Sequence, residues 1–272
     1  MKIRMDILLV EEGFFDSREK AKRAIMAGMV YINGQKAYKA GTKIDIEGSK
    51  IEVRGKRIKY VGRGGLKLEK AINFFNLNLE GKTAMDIGAS TGGFTDCMLQ
   101  NGVRKVYAVD VGYGQLDYKL RQDSRVSVME RTNIRYLKHE EIDSEIDFIS
   151  IDVSFISLRL VLPVAYEMLK EDGEIVFLLK PQFEAGREKV GRNGVIRDGA
   201  VHSEVIIDML RHIERYPLFF KGITYSPIKG AKGNIEFLIH CTKSGEEEAE
   251  KCDYALLAAE LLQTINFEEA NS

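Results

Sequence analysis

Thr83-Ala84-Met85-Asp86-Ile87-Gly88-Ala89-Ser90-Thr91-Gly92-Gly93-Phe94 is a short apolar run broken by a glycine-rich turn. Thr83 to Ile87 has the length and composition of a strand buried on both faces. The glycines that follow let the backbone turn sharply or approach a ligand closely, and a helical stretch opens at the end of the loop. Strand, glycine loop and helix in that order make the first unit of an open parallel sheet, in which ligands bind beyond the carboxyl ends of the strands. The spacing is GxxxGG and not GxGxxG, so a pyrophosphate fingerprint is only a loose fit. Asp86, Gly88, Ala89, Ser90, Gly92, Gly93 and Phe94 are the candidate cofactor contacts here. Asp110 closes the second strand 22 residues after Gly88, where a carboxylate can accept hydrogen bonds from ribose hydroxyls. Loop and acid together favour an adenosine cofactor; read singly, they are equally a structural turn and a solvated strand end. Asn133, after the third strand, is a further candidate beside an adenine or simply a loop asparagine.

Outward from this loop, strand-like and helical segments alternate. The expected strands are Thr83 to Ile87, Lys105 to Asp110, Val126 to Glu130, Ile146 to Asp152 and Glu174 to Lys180, and a helix from Leu66 to Phe75 precedes the first. Such alternation predicts a parallel sheet covered on both faces by helices, the α/β class. Ile223 to Tyr225 and Ile235 to Cys241, separated by a Pro- and Gly-containing loop, read instead as a hairpin. A last strand running antiparallel is typical of Rossmann-like methyltransferase domains and favours S-adenosylmethionine over a nicotinamide.

Four polar residues fall on the cofactor edge of this sheet. Asp152 ends the fourth strand and Lys180 the fifth; Glu236 begins the antiparallel last strand, and Lys67 opens the helix that leads into the first. Any one of them alone is a solvated strand-end charge. Together they make a cleft of two lysines and two carboxylates, formally neutral. That set suits a hydroxyl nucleophile, which needs a base to take its proton during attack on a sulfonium methyl. Lys180 is either that base or the group that stabilises the developing alkoxide.

The first sixty residues differ in kind. They hold 14 Lys and Arg against 8 Asp and Glu, whereas residues 246–272 hold 1 against 8, on a chain of net charge −1. A basic end on a near-neutral chain suits a polyanion-binding module as well as a solvated surface. Asp16 and Glu19 have capping-box spacing ahead of a helix through Ala27, with Gly28 at its C-terminal cap. A short helix precedes it, and Val30 to Ile32 leads into Asn33-Gly34, a strong hairpin signal, with a further strand at Ile51 to Val53. Ala21, Ala24 and Ile25 would face that sheet, leaving Arg18 and Lys22 four apart on the other face, in reach of successive phosphates. Lys56 to Gly65 is basic and Gly-rich and reads as a junction. The expected division is therefore a small α+β domain at 1–58, a linker at 59–65, a catalytic domain at 66–245 and an acidic tail at 246–272, with a helix around Tyr254 to Leu262.

The remaining composition excludes several classes. At 272 residues and 44% hydrophobic side chains the chain can bury a large core. Neither a run of about 18 apolar residues nor a signal peptide is visible, so a cytoplasmic location without a membrane partner is expected. The three cysteines, Cys97, Cys241 and Cys252, form no CxxC pair; neither disulfides nor a metal site is expected.

Two family resemblances sharpen this reading. Arg4-x-Asp6, Gly13, Ser17-Arg18, Ala21, Ile25, Gly28-x-Val30 and Asn33-Gly34 resemble the RNA-binding domain named after small-subunit ribosomal protein S-four. This implies structured-RNA binding, with Arg18, Lys22, Arg23 and Arg63 as candidate RNA contacts. Lys67, Asp152, Lys180 and Glu236 resemble the Lys-Asp-Lys-Glu tetrad of FtsJ-like ribose 2′-O-methyltransferases. Arg63-Gly64-Gly65-Leu66-Lys67-Leu68, Gly88 to Phe94, Tyr107 to Leu116, Asp152 to Ser157, Lys180 to Glu184 and Gly233 to Glu236 extend the likeness to the TlyA family, often labelled haemolysin A. That family joins an S-four domain to such a catalytic domain and methylates cytidine riboses in ribosomal RNA. The resemblance implies S-adenosylmethionine as cofactor and ribosomal RNA or ribosomal subunits as partners. The rivals are a membrane-active haemolysin, a non-catalytic RNA-binding protein and a base methyltransferase, for which the usual Pro-Cys and Asn-Pro-Pro motifs are missing.

Overall fold

The computed structural model describes residues 2–15, 17–26, 28–46, 48–53, 59–191, 193–230, 232–245 and 252–265, the side chain of Arg23 excepted. The chain divides into two compact units, Met1–Lys59 and Tyr60–Ser272.

In the first unit, β1 (Lys2–Arg4), α1 (Met5–Glu11), α2 (Arg18–Met26), β2 (Val30–Ile32), β3 (Gln35–Lys36), β4 (Lys43–Asp45) and β5 (Ile51–Val53) follow in order. β1 pairs antiparallel with β4, and β2 pairs antiparallel with both β3 and β5. The β2–β3 turn places Asn33 at φ 51° and Gly34 at φ 78°, the two left-handed residues that a tight hairpin requires. Ala21, Ala24 and Ile25 are buried with Met5, Leu9 and Val30, as the apolar face of α2 predicts. Ser17 caps α2, its hydroxyl accepting from Lys20 N–H at 3.3 Å. The expected Asp16 cap lies outside the described residues.

The second unit holds α3 (Gly65–Phe74), β6 (Thr83–Ile87), α4 (Gly93–Gln100), β7 (Lys105–Val109), α5 (Tyr118–Arg121), β8 (Val126–Met129), β9 (Ile146–Ile151), α6 (Leu162–Met168), β10 (Leu169–Leu179), α7 (Pro181–Glu184), α8 (Gly199–Ile213), β11 (Phe219–Tyr225), β12 (Phe237–Thr242) and α9 (Tyr254–Gln263). Their seven-stranded sheet has the order β11-β12-β10-β9-β6-β7-β8. The five strands β6 to β10 are parallel, whereas β12 runs antiparallel to both β10 and β11. The central strands are apolar on both faces because each face is covered. Leu68, Ala71, Cys97 and Met98 of α3 and α4 pack with Phe148, Val176 and Leu238 on one face. Leu162, Ala165, Ile206 and Met209 of α6 and α8 pack with Met85, Ile149, Phe177 and Phe237 on the other.

Two expected boundaries are corrected. Residues 60–65 are no linker: Tyr60 is 2% exposed in the core of the second unit, and Val61 N–H donates to Asp96 Oδ2 at 2.8 Å. The tail is not wholly an appendage either. Ala258 on α9 is fully buried, and Tyr254, Leu257, Leu261 and Leu262 pack against the second unit's core. Residues 246–251 and 266–272, which hold most of the tail's acids, lie outside the described residues.

Candidate active site

Strand register builds the site. Ile87 is level with both Ile151 and Val109, and Leu179 is level with Phe237. The residues one step beyond therefore line one sheet edge in the order Glu236, Lys180, Asp152, Gly88, Asp110. Lys67 joins them from the first turn of α3, where its N–H donates to Gly64 O at 2.8 Å.

There the four tetrad candidates form one chain of contacts. Lys67 Nζ donates to Glu236 Oε2 at 2.7 Å and lies 3.6 Å from Asp152 Oδ2. Asp152 Oδ1 is 2.5 Å from Lys180 Nζ, which also donates to Ser154 Oγ at 2.9 Å. Lys67, Lys180 and Glu236 are each less than a tenth exposed. Asp152, 19% exposed, lies at the open side; the three buried charges persist because each has an opposite partner. Behind Glu236, the Gly230 backbone leaves room for Oε1: a Cβ there would come within 2.4 Å of it. Buried Asn234 ties that turn to the 191–196 segment, donating to Gly194 O at 2.8 Å and accepting from Ile196 N–H at 2.9 Å.

The glycine loop runs beside this chain. Gly88 has φ 87°, and a Cβ on it would sit 2.6 Å from Asp152 O, so glycine is required both by the turn and by the end of the strand beside it. Gly88 and Ala89 N–H both donate to Val109 O, at 2.8 and 3.1 Å, and Gly92 N–H donates to Ala89 O at 2.7 Å. Gly93 opens α4. Asp110 accepts from Ser90 N–H at 2.7 Å and from Gly112 N–H at 2.6 Å. Two of the expected contacts are corrected. Asp86 is sealed under the loop, accepting from Thr95 Oγ1 at 2.6 Å and Ser150 Oγ at 3.2 Å, and burial pushes its carboxyl up to about 7. Phe94 likewise turns its ring into the core, at 3% exposure. Both side chains support the loop from below. Asn133 caps the short turn Ile134–Tyr136, accepting from Arg135 N–H at 3.2 Å.

Sequence reasoning assigned no role to Ser154, Phe155 or Glu184. Phe155 stands 91% exposed at a left-handed φ of 65°, with its ring 5.1 Å from that of Phe183. Glu184 accepts from Ser157 Oγ at 2.6 Å and Leu158 N–H at 2.7 Å, fixing the turn that carries Ser154; burial raises its carboxyl pKa. The quoted motifs contained all three residues, but these contacts join segments that are far apart in sequence.

The RNA-contact candidates separate. Arg18 and Lys22 share a face of α2, yet each already meets a carboxylate: Arg18 Nη2 donates to Asp6 at 3.1 Å and Lys22 Nζ to Glu19 at 2.8 Å. Arg4 converges on the same buried Asp6, whose carboxyl the two guanidiniums hold down at about 2, with the Arg4 hydrogen bond the larger cause. The Arg23 side chain is outside the described residues, and Arg63 is exposed ahead of α3 in the second unit.

The FtsJ-like methyltransferase profile matches residues 60–243, and the S4 domain profile matches residues 3–51. The chain belongs to the FtsJ-like methyltransferase family. Hemolysin A of Brachyspira hyodysenteriae is 45% identical over 241 residues, spanning 88% of this chain and 99% of that protein. The 16S/23S rRNA (cytidine-2′-O)-methyltransferase TlyA of Mycobacterium tuberculosis (strain ATCC 25618 / H37Rv) is 39% identical over 238 residues, 88% of this chain and 89% of its own. A solved hemolysin-named chain from Streptococcus thermophilus superposes with a TM-score of 0.76 at 46% identity, covering 99% of this chain and 98% of that one. This methyltransferase is thus an S4-bearing enzyme, and its fold implies S-adenosylmethionine as the methyl donor. Its donor set fits that cofactor: a carboxylate at Asp110, a 71% exposed apolar side chain at Val111 directly after it, and the exposed loop residue Ser90 beside both. Among the described residues no helix is long and apolar enough to cross a membrane.

Proposed function

We propose that this methyltransferase modifies the ribose 2′-hydroxyl of a cytidine in ribosomal RNA. The observation that carries the proposal is the largely buried, formally neutral chain Glu236-Lys67-Asp152-Lys180 at the cofactor edge, with Asp152 its most open member. When bound, S-adenosylmethionine supplies an electrophilic methyl group on a sulfonium. To act as the base, Lys180 first releases a proton to solvent; its amine then accepts the hydroxyl proton, and Asp152 Oδ1, 2.5 Å away, pairs with the ammonium that is restored, returning the cluster to neutrality. Lys67 holds the other Asp152 oxygen and is itself anchored by Glu236, so the carboxylate keeps its aim while charge moves. Asp110, Ser90, Val111 and Asn133 would hold the cofactor, while Phe155 offers an exposed ring on which an unstacked base can rest. The basic S4 unit supplies RNA affinity, and TlyA, the relative named above as a cytidine-2′-O-methyltransferase, agrees with this target.

The test uses the chemistry of the product. Alkaline cleavage of RNA needs a free 2′-hydroxyl, so a methylated ribose protects its linkage. Purified protein is incubated with unmodified ribosomal subunits and methyl-labelled cofactor, and the RNA is then hydrolysed. The label should persist in an alkali-resistant dinucleotide. Label found wholly in mononucleotides with a methylated base would overturn the ribose assignment.

A further inference from the structure

The loops that follow β7 and β8 carry a surface that neither the tetrad nor the cofactor contacts use. Tyr113, Tyr118 and Tyr136 are 69%, 73% and 72% exposed. Single exposed aromatics are ordinary, but Tyr113 and Tyr136 stand on two loops held against each other, and Tyr118 opens the helix that follows the first of them. The loops are bound to each other: Arg131 N–H donates to Gly112 O at 2.9 Å, Thr132 N–H to Asp110 O at 3.0 Å, and Gly114 N–H to Glu130 Oε1 at 2.9 Å. Two of the rings carry a guanidinium, Arg131 at 4.2 Å from the Tyr113 centroid and Arg135 at 5.3 Å from that of Tyr136. Arg131 is held there at a left-handed φ of 55°. Neither arginine meets a carboxylate among the described residues, since the nearby acids are engaged elsewhere; Arg135 Nε donates to Asn133 Oδ1 at 3.3 Å, which leaves its two terminal nitrogens for a phosphate. Glu130 accepts from Gly114, Gln115 and Arg121, and Asp110 from Ser90 and Gly112.

Exposed rings interleaved with uncompensated guanidiniums match the demands of unpaired nucleotides, whose bases stack while their phosphates seek cations. The patch also joins the catalytic edge. Asp110 is two strands from Asp152 across β7, β6 and β9, roughly 10 Å at ordinary strand spacing. We propose that this rim binds the unpaired RNA segment flanking the target nucleotide, with bases on Tyr113 and Tyr136 and phosphates on Arg131 and Arg135. The inference rests on the RNA-methylating function proposed above.

The full chain is tested with the double variants Tyr113→Ala/Tyr136→Ala and Arg131→Asn/Arg135→Gln, asparagine being tolerant of the left-handed backbone at 131. Three quantities are read for each: affinity for an unmodified ribosomal RNA fragment at several salt concentrations, affinity for S-adenosylhomocysteine, and binding to whole ribosomal subunits. Loss of the two rings should weaken RNA binding by at least about 5-fold per stacked base with an unaltered salt slope. Loss of the two arginines should weaken binding and flatten the slope by about 1.4. Cofactor affinity should stay within about twofold in both. Unchanged RNA affinity in both variants overturns the proposal. So does a fall in cofactor affinity alone, which would give the rim to the cofactor, or weakened binding to subunits with full affinity for naked RNA, which would give it to a protein partner. Failure of the ribose assignment is seen separately, as base-methylated mononucleotides from the wild type, and leaves these binding measurements standing.

Discussion

Lys180→Met separates what the tetrad does chemically from what it does structurally. The side chain keeps its stem but loses its charge, so the cleft goes from neutral to one net negative charge. Asp152 loses its partner at 2.5 Å and keeps only Lys67 at 3.6 Å. Lys67 and Glu236 around it are less than a tenth exposed, so water compensates poorly. Leaving a charged group short of one buried partner costs about 1–3 kcal/mol. For a domain of this size that is a Tm fall of roughly 2–12 °C. Loss of the proton acceptor should lower turnover by at least about 10²-fold, with cofactor affinity nearly unchanged because Lys180 lies outside the glycine loop. The companion is Lys180→Met/Asp152→Asn, which restores neutrality without restoring a base. Its Tm should recover much of the loss while its turnover stays low. Tm by calorimetry, cofactor Kd and single-turnover methyl transfer are the assays. Near-normal turnover in Lys180→Met removes Lys180 from the mechanism, and turnover that recovers together with Tm in the double variant shows the first loss to have been structural.

Asp86 has its carboxyl raised to about 7 by burial, from an ordinary value near 3.8. Between those limits the folded state holds a proton that the unfolded chain releases, so stability falls as pH rises through that window. Asp86→Asn should therefore gain on the wild type from pH 4 to pH 7 in Tm, and a difference independent of pH would refute this. Glu184→Ala frees Ser157 and Leu158 and with them the turn carrying Ser154. Turnover should fall between about 10- and 100-fold at unchanged cofactor Kd, and full turnover would dismiss Glu184 as a positioning residue. Removal of residues 1–59 should weaken RNA binding and flatten its salt dependence while cofactor binding persists. A chain beginning at Leu66 should in addition lose stability, since it lacks Tyr60 and the Val61–Asp96 bond; equal Tm values for the two truncations would contradict the boundary drawn here.

Much of the second unit was legible because its central strands are buried on both faces and therefore appear as unbroken apolar runs ending in a polar residue. Asp152 and Lys180 could be placed at the cofactor edge on that ground alone. Glu236 needed the further inference that β12 runs antiparallel, which the hairpin pattern supplied. What failed to show were directions and partners. Asp86 and Asp110 both sit at strand ends beside the loop, but Thr95 and Ser150 draw one inward while the other stays at the loop. Residues 59–65 read as a linker because Lys56 to Gly65 is basic and Gly-rich, whereas its glycines serve close packing. A Cβ on Gly93 would meet Gly65 N at 2.9 Å, a backbone contact that no local pattern announces. Arg18 looked free for phosphate because Asp6 lies twelve residues away, on another helix.

The tetrad also makes the late hairpin more than a finishing edge of the sheet. A buried cluster of four charges is a poor source of stability, since desolvation cancels most of the attraction. Its retention must therefore be read through geometry. Three of the four side chains hang from neighbouring strands, and their convergence depends on the pairing of Leu179 with Phe237 and of Phe177 with Ile151. Because side chains alternate along a strand, a one-residue slip of β12 would move Glu236 to the opposite face and leave Lys67 paired only with Asp152 at 3.6 Å. The same slip would take Phe237, Ile239 and Cys241 out of the core they share with α6 and α8. The apolar half of β12 thus enforces the register that its polar first neighbour needs, and the hydrophobic core holds together an ionic site that could not hold itself.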